Sequence, residues 1–112
     1  MSSNNERVGG FVLNASGLAD HFKTGNPIEQ VQVDTALAWL EQVAHPLKST
    51  WYWGTSYGLK HTAENWGRDN GLSPYVSNGA FIKAAILAGY EIKSIGGNAK
   101  IKLGLPRKTR RR

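Results

Sequence analysis

The chain of 112 residues contains no cysteine. That absence excludes disulfides, thiolate catalysis and every zinc or iron–sulfur site built on cysteine, and it suits a protein kept in a reducing compartment. Nor does the sequence hold an apolar run near the roughly 18 residues that a membrane span requires, or a charged-then-apolar leader ending in small residues. A membrane role is not expected, and the cytoplasm is the expected location. Without secretion the glycosylation sequon at Asn14, Ala15 and Ser16 has no consequence.

Acidic residues are missing from one region. All eight fall within residues 1–99, where seven basic residues (Arg7, Lys23, Lys48, Lys60, Arg68, Lys83 and Lys93) nearly balance them. The other seven cations, Lys100, Lys102, Arg107, Lys108, Arg110, Arg111 and Arg112, crowd into the last 13 positions with no acid among them. The net charge of +6 is therefore a property of the C-terminus.

At this length the expectation is one domain with a modest core. Residues 1–10, polar and interrupted by a glycine pair, read as a disordered leader; residues 11–105 read as the globular domain, and 106–112 as a basic arm. The strongest element is the segment from Ser77 to Gly89. Ser77 is a good N-cap and Gly89 a good residue to follow the last turn. Between them Lys83 is the only charge, so the helix is apolar nearly all round and belongs inside the domain.

Weaker signals surround it. Val31 and Val33 alternate as in a strand, and Asp34 looks like the N-cap of a helix ended by Pro46, with Leu37, Leu40 and Ala44 on one stripe. Residues 49–57 gather Trp51, Tyr52, Trp53 and Tyr57 into extended or irregular chain, with alternation turning Trp51 and Trp53 one way and Tyr52 the other. Ser56 then reads as the cap of a helix carrying Leu59, Ala63 and Trp66, which Gly67 is placed to stop. After the central helix, residues 91–95, 96–98 and 99–103 read as strand, turn and strand, with Lys100 and Lys102 opposite Ala99, Ile101 and Leu103. The predicted fold is mainly α (α+β), about three helices and a C-terminal hairpin, in winged-helix order.

A winged-helix domain would lay the third helix in the DNA major groove. Here only Asn78 and Lys83 on that helix could read base edges, and the connection before it is too long for a helix-turn-helix. Phosphate contact asks for less. Lys93, Lys100 and Lys102, continuing into Arg107, Lys108, Arg110, Arg111 and Arg112, would form a row of cations suited to DNA or RNA. Trp51, Trp53 and Tyr57 are candidates for base stacking or for anchoring a protein partner. The ordinary role of such aromatics is core packing.

Catalytic arrangements are thin. His61 and Glu64 share a helix face but supply only two metal ligands. Ser56, His61 and Asp69 are the residue types of a hydrolytic triad without its setting, and the glycines at 54 and 58 lack a P-loop lysine. No cofactor or metal is expected, and the chain reads as non-enzymatic.

Ser56, Tyr57, Gly58, Leu59, Lys60 and His61 with Glu64, followed by Tyr75, Val76, Ser77, Asn78, Gly79, Ala80 and Phe81, resemble a pattern in small uncharacterised proteins of phages, plasmids and other bacterial mobile elements. The resemblance spans residues 56–95, with a longer connection at 66–74 than that pattern has. It implies a genomic setting and no catalytic residues. Together with the charge distribution, the expectation is a nucleic-acid-binding accessory or regulatory protein. The alternative is an inhibitor binding a host defence or replication protein through the aromatic segment.

Overall fold

The structure, a computed structural model, describes residues 4–19 and 25–106. Its elements are β1 (Glu6–Val8), β2 (Phe11–Asn14), β3 (Gly17–Leu18), α1 (Gln30–Gln42), β4 (His45–Pro46), α2 (Ser56–Asp69), α3 (Asn78–Leu87), β5 (Ile92–Ile95), β6 (Asn98–Ile101) and β7 (Leu103–Gly104). The strands form three small antiparallel sheets, β1-β2-β3, β4-β7 and β5-β6. The fold is α+β. The expected mainly α, winged-helix-like class is incorrect, because a three-stranded sheet precedes the helices and the third helix is enclosed.

That helix sits where its composition puts it. Asn78, Gly79, Ala80, Phe81, Ile82, Ala84 and Ala85 are all buried, and the Ser77 hydroxyl accepts from the Ala80 N–H at 3.1 Å. Gly89 follows the last turn with φ +90°. Asn78 is buried and donates to the Ser16 carbonyl and the Asn98 side chain, while Lys83 pairs with Glu6 in β1. Both groups that could have read bases are occupied inside the protein. The exposed residue of α3 is Leu87, which leaves no polar face for a DNA groove.

The segment read as a leader contributes β1. Gly9 and Gly10 both have positive φ, the backbone of a two-residue turn joining Val8 to Phe11, so the glycine pair closes a hairpin. Helix α1 begins at Gln30 with Glu29 at its cap, ahead of the position expected from Asp34, whose carboxylate instead accepts from the Gln30 amide at 2.9 Å. Val33 is consequently a helix residue, fully buried on the stripe with Ala36 and Leu40. Helix α2 is capped at Thr55, and the Ser56 hydroxyl accepts from the Ala99 N–H at 3.0 Å in the core. Gly67 does not stop α2. It lies within the helix, where a Cβ would come within 2.7 Å of the Ser73 carbonyl and of Thr35.

Helices α1 and α3 lie side by side and run parallel. The Ser77 N–H donates to the Gln32 side chain at 2.8 Å near their N-terminal ends, and Trp39 meets Phe81 at 5.6 Å further along. Parallel packing brings both C-terminal ends to the same side of the molecule. The predicted hairpin is present, but its second strand divides at Lys102: β6 pairs with β5, and β7 leaves to pair with β4.

Candidate nucleic-acid interface

The division of that strand places the aromatic segment. Leu47 donates to the Lys102 carbonyl and Tyr52 to the Ile101 carbonyl, both at 2.9 Å, so residues 45–52 run along the edge of the hairpin. Along β5 and β6 the period of two buries Ala99 and Ile101 and turns Lys93, Lys100 and Lys102 to the opposite face. Lys93 and Lys100 are direct cross-strand partners, an arrangement that repulsion disfavours.

The aromatic segment offsets that repulsion. The Trp51 ring lies 4.6 Å from the Lys93 ammonium and 5.0 Å from that of Lys102, and the negative face of an indole attracts both. Lys100 donates to the carbonyls of Tyr52 and Trp53, at 3.3 and 2.7 Å. Lys102 also meets the Glu91 carboxylate at 3.2 Å and the Lys48 carbonyl at 3.1 Å. Of the three cations only Lys102 meets a carboxylate among the described residues, and the face stays positive.

Trp53 stands out from this support. It is 83% exposed, yet its ring stacks on Tyr52 at 5.4 Å and 30°, and Tyr52 packs on the core. The expected split of the aromatic segment is visible in part: Tyr52 turns inward, Trp53 outward, and Trp51 lies half-buried among the lysines. Tyr57, further along the chain, is also exposed, with the His61 ring edge-on at 4.8 Å and Lys60 at 5.2 Å. Of the arm, Arg107, Lys108, Arg110, Arg111 and Arg112 lie outside the described residues. Pro106, the last described residue, follows closely on β7, which adjoins Lys102.

The other candidate chemistry resolves into architecture. Glu64 is buried and receives the Val76 N–H at 3.0 Å, Lys60 at 3.3 Å and His61 at 3.0 Å. Burial alone would raise its pKa, but the Val76 N–H, Lys60 and His61 together outweigh burial and hold the carboxyl below its ordinary value of 4.5. The cluster ties α2 to the chain entering α3. Ser56 is enclosed and bonded to Ala99, while Asp69 is exposed at the far end of α2, so no triad assembles. Among the described residues no group of three or more His, Asp or Glu side chains could hold a metal.

Comparison with protein-family models, curated proteins and solved structures gives no match. The site is read from its own chemistry.

Glu64 yields a pH prediction. A carboxyl whose pKa is lower folded than unfolded adds stability in full above its unfolded value, and that stability is lost as pH falls through the folded value. Stability should therefore fall below about pH 4.5. Glu64→Ala strands the buried Val76 N–H and should cost about 2–3 kcal/mol at pH 7. Urea titrations at pH 7 and pH 3 check both: the variant should lie well below wild type at pH 7, and the gap should narrow at pH 3.

Proposed function

We propose that the protein is a small non-enzymatic nucleic-acid-binding accessory or regulatory protein that holds an unpaired stretch of DNA or RNA on the Trp53 face. The observation that carries this reading is a largely exposed indole stacked on Tyr52, with Lys100 at its backbone carbonyl and Lys93 and Lys102 at the ring of Trp51 two residues before it. Unpaired bases need a flat platform with cations close by, and base–aromatic stacking is tolerant of sequence. Lys93, the exposed one of the three lysines, and the five cations beyond Pro106 supply phosphate contact, while Lys100 and Lys102, each already partnered, contribute the positive sign of the face.

The test is the salt dependence of binding to a labelled single-stranded oligonucleotide. Deleting residues 106–112 should weaken binding at low salt. It should also shrink the slope of log K against log salt by about 0.7 for each phosphate that the arm neutralises. Equal affinity and equal slope in the two proteins would remove the arm from the interface.

The exposure of Trp53 and Tyr57 also favours a second reading, an inhibitor that anchors a protein partner through the same aromatics. In that case Trp53→Ala abolishes capture of the partner while deletion of the arm leaves it intact.

A further inference from the structure

A groove on another part of the molecule has its own chemistry. It lies where α1 and α3 end together, with a volume of about 520 Å³, and Leu37, Leu40 and Ala44 face Ala88 and Tyr90 across it. That size falls in the range of small-molecule sites, which run from about 300 to 1,000 Å³. Its electrostatics have one sign. Two parallel helices direct the negative ends of their dipoles here, and neither carries a basic residue in its last turn. Among the described residues Glu41 is the sole charged one in the lining. The His45 side chain, close by in sequence, lies instead against Gly104 of β7.

We propose that this groove binds a small organic cation, an ammonium carried on an alkyl or aryl body. The leucines and alanines receive the apolar body. The Glu41 carboxylate and the two helix ends attract the ammonium, and the Tyr90 ring adds the attraction of an aromatic face for a cation. A carboxylate of the same shape would meet the same apolar walls and the opposite electrostatic sign. The site uses none of the residues of the Trp53 face and stands or falls independently of nucleic-acid binding.

The experiment titrates the full chain with octylammonium, octanol and octanoate and follows backbone amide resonances. Octylammonium should shift the amides of residues 37–44 and 88–90 and bind at least about tenfold more tightly than octanoate, with octanol between them. Glu41→Gln, at an exposed position, should reduce the advantage of octylammonium over octanol about threefold or more while leaving octanol unchanged. Ala44→Trp should fill the groove and abolish binding of all three. Octanoate binding as tightly as octylammonium, shifts centred on Trp53, or no effect of Glu41→Gln would overturn the proposal. So would binding seen only after residues 107–112 are deleted, which would give the groove to the chain's own arm.

Discussion

Gly79→Ala should destabilise the protein by about 3 kcal/mol or more, although it replaces glycine by alanine inside a helix. A Cβ at this position would lie 1.8 Å from the carbonyl oxygen of Asn14, 2.8 Å from its carbon and 3.3 Å from the Ala15 Cα. All three are backbone atoms, so no side chain can swing away. The two segments are also bonded, since the Gly79 N–H donates to the Ala15 carbonyl at 3.1 Å. Admitting a methyl group means lifting the β2–β3 turn off the start of α3. That would also strain the Asn78 bonds to Ser16 and Asn98. Overpacking of this kind costs several times the roughly 1 kcal/mol that alanine gains over glycine in a helix interior. Gly58→Ala is the matched control: it lies in α2 with nothing within 4 Å of a new Cβ, and it should be neutral or stabilise by up to about 1 kcal/mol. Urea denaturation of the two variants decides the matter. Equal midpoints would mean that the turn does not press on α3 as described.

Trp53→Ala should weaken binding of a single-stranded oligonucleotide by about 1–3 kcal/mol, roughly 5- to 150-fold, with little effect on stability. The small stability effect follows from exposure, because an indole 83% open to solvent contributes little to the core. The large binding effect follows from its setting. Tyr52 holds one side of the ring and Lys100 grips the Trp53 carbonyl, so the platform loses little freedom when a base settles on it. Trp53→Phe should recover part of the affinity, as a smaller flat ring would. Equal binding by wild type and Trp53→Ala, with the variant folded, would remove stacking from the account.

The sequence revealed some of this and concealed the rest for physical reasons. Helix α3 was legible because a cap, an apolar run and a terminal glycine follow one another without interruption. Hairpin β5–β6 was legible because its alternation flanks a glycine turn. The N-terminal sheet was not, since its strands are two to four residues long and too short to display a period. Its glycine pair suits a flexible linker as well as a tight turn. The β4–β7 ladder joins His45 to Gly104 and Pro46 to Leu103, far apart in the chain, so no local pattern announces it. At the candidate interface, alternation put Lys100 and Lys102 on one face of the hairpin. It could not reveal that Trp51 and the carbonyls of residues 52 and 53 would meet them. The groove between α1 and α3 was invisible for a similar reason, because only parallel packing brings their ends together. Three residues of the segments around α2 and the start of α3 have structural tasks: Ser56 bonds Ala99, Glu64 holds Val76, and Gly79 admits the β2–β3 turn.

The four tryptophans offer the most direct measurement, because their indole N–H resonances report separately on the two environments. Trp39 is buried and Trp66 is half-buried against the core, whereas Trp51 and Trp53 belong to the lysine face. On titration of the full chain with a short single-stranded oligonucleotide at low salt, the Trp53 indole should shift most, Trp51 next, and Trp39 and Trp66 hardly at all. An oligonucleotide that binds while Trp51 and Trp53 stay unmoved would contradict the assignment of this face, and one that fails to bind at low salt would contradict the function itself.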